Sequence, residues 1–136
     1  MLLNAETDYA IRIVTFLADA KEKCEAKSIS DGTGVPLRFC LKILSKLVSF
    51  EIVKSFKGRE GGYVLARPAN EITLYEVIDK INGGCELIHC QCGDGGCTNP
   101  SGICRFMSAF GKAAASLKNT LEAVTFGEKG EELKCF

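Results

Sequence analysis

The stretch from residue 27 to residue 66 constrains the fold most strongly, because several local structural signals follow one another there without interruption. Residues 27–33 (KSISDGT) predict a short helix that Ser28 caps and Gly32 weakens. Residues 34–36 (GVP) predict a turn, since proline is favoured where the next helix starts. A short helix, a tight turn and a second helix together form the helix-turn-helix layout.

Residues 37–50 predict that second helix, and its two faces differ in chemistry. The apolar residues that recur at helical spacing are Leu37, Cys40, Leu41, Leu44, Leu47 and Val48. Arg38, Lys42 and Lys46 are spaced four residues apart, so that they project one above another from the opposite face. Such cations usually form an ordinary solvated surface. Their place directly after a helix-turn-helix turn favours a DNA-recognition helix.

Residues 52–66 (IVKSFKGREGGYVLA) predict two short strands joined by a tight turn. Gly61 and Gly62 give the backbone the freedom that this turn needs. A β-hairpin with a basic tip after a recognition-type helix is the wing of a winged helix-turn-helix domain. We therefore predict a fold that is mainly α with a small β-hairpin.

The charge of this region indicates a polyanionic partner. Residues 38–67 contain seven basic and two acidic residues, although the net charge of the whole chain is zero. We expect six side chains to contact double-stranded DNA, namely Arg38, Phe39, Lys42, Lys46, Lys57 and Arg59. The first three lie near the start of the recognition helix, where base edges are reached. Lys46 is placed to contact phosphate, and the two wing-tip residues to enter the minor groove or contact phosphate.

Two further helices are predicted around this module. Residues 5–21 have apolar residues at helical spacing, and Asn4 is suited to cap the helix. Residues 73–83 predict another helix, which Thr73 caps and Gly83 ends.

A longer C-terminal helix follows, with a heptad-like seam. The seam residues are Phe106, Phe110, Ala113, Leu117, Leu121 and Val124. A seam this regular needs a partner helix, and the same helix of a second copy would supply one in a twofold dimer. The alternative is that the helix packs on its own domain.

Composition and length narrow the class of protein. The chain has 136 residues, 46% of them hydrophobic and 25% charged, which are the values of an ordinary globular domain. The start, MLLNAETDYAIR, lacks the apolar run of a signal peptide, and no run approaches the eighteen residues of a membrane span. We therefore expect a cytoplasmic protein with no membrane partner and with reduced thiols.

Residues 85–104 hold five of the eight cysteines in the chain. In a reducing compartment, clustered cysteines indicate metal ligands or redox centres before disulfides. Thiolates bind zinc and iron–sulfur clusters alike, but the paired C-x2-C spacing of zinc sites is absent. Nothing in the sequence resembles a nucleophile–base pair or a phosphate-cradling loop, so we predict that the chain is not an enzyme.

The sequence resembles the IscR/NsrR group of bacterial winged-helix regulators, which is the Rrf2 family. The resemblance is carried by DYAIRIVTFLA, SISDGTGVPLRFCLKILSKL, KGREGGYVLARPANEITLYEVI and the cysteine-rich loop, and it covers about residues 2–125. It implies a homodimer with an N-terminal winged helix-turn-helix domain and a long crossing helix at the interface. It also implies an iron–sulfur cluster whose presence or state alters DNA binding.

The ligands that the resemblance implies are three cysteines and one further residue. The best register is Cys90, Cys97 and Cys104, with Cys92 as the rival for the first position. The IscR branch uses a histidine three residues after the third cysteine, where this chain has Met107. The NsrR branch uses an aspartate of the first helix from the partner subunit, and Asp8 stands at the matching position. An acid there is also what the helix dipole alone would favour.

Three sulfur ligands and one oxygen ligand favour a 4Fe–4S cluster over a 2Fe–2S cluster, with zinc as the alternative. We interpret the chain as a homodimeric repressor whose cluster senses nitric oxide, redox state or iron–sulfur status. A cluster-free thiol-based or zinc-stabilised DNA-binding regulator remains open, as does a small redox carrier. The expected organisation is a winged helix-turn-helix domain (1–83), a Cys-rich cluster-binding loop (84–104), a dimerisation helix (105–126) and a flexible tail (127–136).

Overall fold

The structure, a computed structural model, describes residues 3–85, 101 and 104–128. Within these residues the chain forms five α-helices, one two-stranded antiparallel sheet and one turn of 3-10 helix (Ala69–Glu71). The helices are α1 (Ala5–Asp19), α2 (Ala26–Thr33), α3 (Leu37–Ser49), α4 (Leu74–Asn82) and α5 (Met107–Glu122), and the strands are β1 (Val53–Phe56) and β2 (Gly62–Leu65). The predicted fold class is confirmed. No helix in the described part of the chain could span a membrane.

Helix α1 begins where the sequence predicts. The Asn4 side chain caps it by accepting a hydrogen bond of 2.9 Å from the Thr7 backbone N–H, which satisfies one of the donors exposed at a helix start. The helix ends at Asp19, slightly before the predicted residue 21, because Ala20 adopts an extended backbone.

Helix α2 corrects one local prediction. It starts at Ala26, with Glu25 in the capping position and no side-chain capping hydrogen bond, so the prediction that Ser28 caps it is wrong. The backbone bond of 3.0 Å from Ile29 N–H to the Glu25 carbonyl already closes the first turn, which leaves Ser28 inside the helix. The helix ends at Gly34, whose φ of 73° is the left-handed conformation that glycine adopts readily.

Gly32 lets α2 approach α1 closely. A Cβ atom at this position would lie 2.2 Å from Cε2 of Phe16. Gly32 therefore lowers the helix propensity of α2 but makes room for the Phe16 ring of α1. The close packing of the two helices requires glycine at this position.

The hairpin pairs Val53 with Leu65 and Phe56 with Gly62. A third segment extends it: Cys24, from the connector between α1 and α2, exchanges backbone hydrogen bonds of 3.1 and 2.8 Å with Tyr63. A Cβ at Gly62 would lie 2.9 Å from the Cys24 carbonyl oxygen, so this close approach requires glycine. No local sequence pattern predicts this third segment.

The core lies between the first four helices and the inner side of the hairpin. Its fully buried large side chains are Ile13, Val14, Ile29, Val35, Ile43, Leu44, Leu47, Ile52, Val53, Ile72, Val77 and Ile78. Cys40 is also fully buried, which confirms that it fills the core. Burial of this much apolar surface within one chain is the main stabilising contribution to the winged-helix domain.

Helix α4 has the predicted ends and a contact with α1. Thr73 accepts the capping hydrogen bond from the Glu76 backbone N–H at 3.1 Å, and Gly83 ends the helix with a φ of 73°. At the C-terminal end of α4, Asn82 Oδ1 lies 2.6 Å from the Thr7 hydroxyl. This polar contact joins the start of α1 to the end of α4.

Helix α5 packs against α4, yet none of its residues is buried. Ala114, Leu117 and Leu121 are half-buried, whereas Phe106 and Phe110 are 64% and 41% exposed. The predicted seam is thus only partly covered within one chain.

The helix ends at Glu122, so the expectation that Val124 belongs to its seam needs correction. Beyond that point the backbone returns to the main domain: the Leu74 N–H bonds the Val124 carbonyl at 2.9 Å, and the Phe126 N–H bonds the Ile72 carbonyl at 3.1 Å. Of the predicted flexible tail, residues 129–136 lie outside the described residues. Gly127 packs against the backbone of Asn70. A Cβ atom added at Gly127 would lie 2.8 Å from the Asn70 backbone nitrogen.

Candidate DNA-binding surface and cluster ligands

The recognition helix α3 has one buried face and one exposed face. Cys40, Ile43, Leu44 and Leu47 pack into the core. The residues that lie opposite them and are exposed are Arg38, Lys42, Ser45 and Ser49. With 3.6 residues per turn these four form one continuous strip, so the outer face carries two cations and two hydroxyl groups. This chemistry suits phosphate oxygens and base edges.

The turn before α3 is fixed by packing and by a hydrogen bond. The Ser30 hydroxyl donates to the Val35 carbonyl at 2.6 Å, and the Val35 side chain is almost fully buried. Pro36 precedes the first helical residue and accepts, through its carbonyl, the 2.9 Å hydrogen bond of the Cys40 N–H. The orientation of α3 relative to α2 is therefore set by residues that do not face outward.

Phe39 lies on the flank of α3 that faces α1. Its ring centroid is 6.1 Å from that of Tyr9 at an interplanar angle of 48°, and the residue is 47% exposed. Half of its surface thus remains accessible. Its contact with DNA stays a prediction, and the structure gives it a packing role as well.

Lys42 and Lys46 share one acid of α1. Glu6 Oε1 accepts a hydrogen bond from Lys46 Nζ at 2.6 Å and lies 3.5 Å from Lys42 Nζ. The hydrogen bond from Lys46, aided by the charges of both lysines, lowers the pKa of Glu6 against the opposing effect of burial. No sequence pattern singles out Glu6, because an acid in the first turn of a helix is already explained by the helix dipole.

The wing tip presents Lys57 and Arg59, both exposed, on either side of Gly58. Gly58 has a φ of 99°, and a Cβ at Gly61 would lie 2.4 Å from the Phe56 carbonyl oxygen. Glycines at these two positions therefore hold the tight turn that projects the two cations.

The candidate cluster ligands are only partly within the described residues. Cys104 is an exposed free thiol immediately before α5. Asp8 lies in the first turn of α1, where its carboxylate is half-exposed and pairs with Arg12 at 2.9 Å. Cys90 and Cys97, like the rival Cys92, lie outside the described residues.

Both described donors are chemically suited to an iron–sulfur cluster, since an exposed thiol and an exposed carboxylate can each lose a proton and reach a metal. Over the described residues, no three His, Cys, Asp or Glu side chains form a group able to hold a metal ion. The predicted ligand set also needs Cys90 and Cys97, which lie outside the described residues. The assignment of the cluster ligands therefore stays a prediction.

The remaining described cysteines have a different environment. Burial raises the pKa of the Cys24, Cys40 and Cys85 thiols. The charge of Glu22 raises the pKa of Cys24 further, and the charge of Asp79 does the same for Cys85. A raised thiol pKa leaves little thiolate at neutral pH, and thiolate is the form that binds metal or reacts. These three positions are therefore poor candidates for ligands or redox thiols.

Comparison with known proteins agrees with this geometry. A family model described as "Rrf2: Iron-dependent Transcriptional regulator" matches residues 3–128. The transcriptional regulator NsrR of Oceanobacillus iheyensis is 30% identical over 137 residues, which cover 97% of this chain and 92% of that protein. A Mycobacterium tuberculosis protein is 38% identical over 85 residues, and this match spans 61% of the chain and about half (53%) of its relative.

Solved structures show the same fold. CymR, the global cysteine regulator of Bacillus subtilis, superposes with a TM-score of 0.73 at 21% identity, covering 91% of this chain and 92% of CymR. IscR of T. potens superposes with a TM-score of 0.72 at 20% identity, covering 98% of this chain and 93% of IscR. The family model and the match to NsrR confirm the expectation of a regulator rather than an enzyme. The chain belongs to the Rrf2 family of transcriptional regulators and has its winged-helix fold.

Proposed function

We propose that the chain represses transcription as a homodimer that binds a double-stranded DNA operator through α3 and the hairpin, in the cytoplasm where bacterial DNA lies. The observation that carries the proposal is the outer face of α3, where Arg38 and Lys42 are exposed directly opposite a fully buried inner face. The second helix of a helix-turn-helix unit lies in the major groove. Basic residues on its outer face would therefore meet base edges and phosphates.

The six candidate DNA contacts divide into two kinds. Arg38, Lys42 and Phe39 lie on the first turns of α3 and would read base edges, for which arginine and lysine prefer guanine. Lys46, Lys57 and Arg59 would contact phosphate or the minor groove, which sets affinity and orientation without reading sequence.

Helix α5 supports the proposed dimer. Phe106 and Phe110 contact each other edge to face at 6.5 Å between centroids and remain largely exposed in one chain. Together with the half-buried Leu117 they would form an interface with the same helix of a second copy. A twofold dimer of this kind would place two recognition helices about 34–36 Å apart, one turn of DNA.

We assign the sensor to a 4Fe–4S cluster held by Cys90, Cys97, Cys104 and Asp8. The iron-dependent description of the family and the similarity to NsrR over nearly the whole chain support this assignment. Such a cluster, held by three thiolates and the Asp8 carboxylate, would supply iron chemistry that responds to nitric oxide, to oxygen or to loss of the metal. In the chain itself Arg12 holds the Asp8 carboxylate, so ligation by Asp8 requires that ion pair to be weakened.

A cluster-free regulator is the second candidate, and the exposed thiol of Cys104 favours it. A thiolate at this position could respond to oxidants or bind zinc with the other loop cysteines. In that case DNA binding would follow the thiol state or zinc content, and no iron or sulfide would accompany the protein.

The test is iron and sulfide analysis of anaerobically purified protein, combined with affinity for a duplex selected from a randomised DNA pool. We expect about four irons and four sulfides per chain, and a change in duplex affinity after nitric oxide treatment or removal of the cluster. Cys104→Ala should lose the cluster, whereas Cys24→Ala should keep it. Protein without iron whose duplex affinity is unaffected by metal removal would contradict the sensor assignment.

A further inference from the structure

Glu6 links the start of α1 to the basic face of α3. Its Oε1 atom lies 2.6 Å from Lys46 Nζ and 3.5 Å from Lys42 Nζ, so that one carboxylate serves two cations of the recognition helix. The side chain of Glu6 is 30% exposed, and those of Lys46 and Lys42 are 37% and 62% exposed. All three groups are therefore open enough for a third charged molecule to compete.

The pairing is selective among the candidate DNA contacts. Arg38, Lys57 and Arg59 form no ion pair with any acid of the described residues. Among the candidate DNA contacts, only Lys42 and Lys46 form an ion pair with an acid of the described residues. Among the described residues, the recognition helix thus has a cation without an acidic partner near its start and, further along, two cations that share one carboxylate.

Glu6 is held in place by the turn to which it belongs. Asn4 caps this turn, and the Thr7 hydroxyl lies 2.6 Å from Asn82 Oδ1 at the end of α4. Thr7 itself is fully buried. Because the backbone on both sides of Glu6 is fixed, the ion pair costs less side-chain and backbone entropy than one between two free surface side chains.

We propose that Glu6 is a built-in counter-ion that competes with DNA phosphate for Lys46 and with DNA for Lys42, and so limits the affinity of the recognition helix for DNA. This inference rests on the proposed DNA-binding function. A phosphate that contacts Lys46 must either share this lysine with the Glu6 carboxylate or displace the carboxylate from it. The carboxylate and the phosphate are both negative and repel each other. Glu6 acts through the lysines and is a positioning residue. Lys46 is the closer partner and is assigned to phosphate, so the main expected effect of Glu6 is on the sequence-independent part of binding, since phosphates carry no sequence information.

The test compares Glu6→Gln with Asp19→Asn, which removes the same charge from the far end of the same helix. Both variants are titrated against a random-sequence duplex over a range of salt concentrations. Glu6→Gln should bind about twofold to fivefold more tightly at low salt. Its salt dependence should steepen by about one phosphate contact. Asp19→Asn should remain close to the unmodified protein, and Glu6→Asp, which keeps the charge, should stay nearer to it than Glu6→Gln.

The same comparison in a Lys42→Gln/Lys46→Gln background separates local competition from a general charge effect. In this background, adding Glu6→Gln should no longer increase the affinity for the random-sequence duplex. An equal gain in that background, or no gain in the original one, would overturn the inference. Thermal unfolding of each variant checks that the fold is kept. If the unmodified protein binds no duplex at all, the proposed function fails instead, so the two failures are distinguishable.

Discussion

The winged-helix domain and α5 differ in how completely one chain can bury their apolar side chains. In α3 the inner residues are fully buried, and Leu44 and Leu47 have no exposed surface. In α5 no residue is buried, and Phe110 is 41% exposed. Periodic apolar patterns occur in both helices, yet only α3 buries apolar residues of its pattern within one chain. The difference teaches that one chain buries the core of the winged-helix domain completely, whereas it leaves apolar side chains of α5 exposed.

The largest expected effect comes from opening the complete region. Leu44→Ala should destabilise the protein by about 2–5 kcal/mol, because it leaves a cavity in a core that cannot fully collapse. Denaturant unfolding measures this loss. Leu41→Ala is the matched control on the same helix, since Leu41 is 45% exposed, and it should cost far less. Similar losses at the two positions would break the distinction between the faces of α3.

A change in the open region should act on assembly rather than on the fold. Phe106→Ser together with Phe110→Ser should weaken the dimer by more than about tenfold, since aromatic anchors carry much of the energy of an interface. Sedimentation measures the dimer, and thermal unfolding at low protein concentration should change little. Lys112→Ser, on the other side of α5, should leave assembly intact. A dimer that survives the double change would place the interface elsewhere.

Within the DNA-binding surface, base reading and phosphate contact can be separated. Lys42→Gln should lower the ratio of selected-duplex to random-duplex affinity, with a cost of about 1–3 kcal/mol on the selected duplex. Lys57→Gln should weaken both duplexes to a similar extent and reduce the salt dependence by about one contact. Competition binding at several salt concentrations measures both effects. Equal losses on both duplexes in both variants would contradict the division.

The smallest effect concerns the cap of α1. Asn4→Ala should destabilise the domain by about 0.5–2 kcal/mol, because the Thr7 backbone N–H loses its partner. Asn4→Asp should recover most of the loss, since aspartate also caps well. Unfolding by denaturant distinguishes the two variants. An unchanged stability in Asn4→Ala would mean that water replaces the cap at no cost.

Much of the fold could be predicted from the sequence, because helix ends and apolar periodicity are local signals. Asn4, Thr73 and Gly83 act at the helix ends where the sequence predicts them. Ser28 misled the prediction, since a residue suited to capping is also tolerated one turn further into a helix. Val124 continued the spacing of α5 beyond its end, where backbone bonds to the main domain interrupt the helix.

The contacts that the sequence could not supply join residues far apart in the chain. Glu6 and Lys46 are forty positions apart, and no periodic pattern relates them. Cys24 contributes a single paired residue to the hairpin, which is too short for an alternating pattern to be recognised. Both depend on how α1 packs against the rest of the domain.

Native mass spectrometry of anaerobically purified protein with the selected duplex tests the central claim most directly. We predict one complex of two chains with one duplex and one cluster per chain, and loss of that complex in the Phe106→Ser/Phe110→Ser variant. A complex of one chain with the duplex, or a two-chain complex that the double change leaves intact, would contradict the claim that α5 completes a DNA-binding dimer.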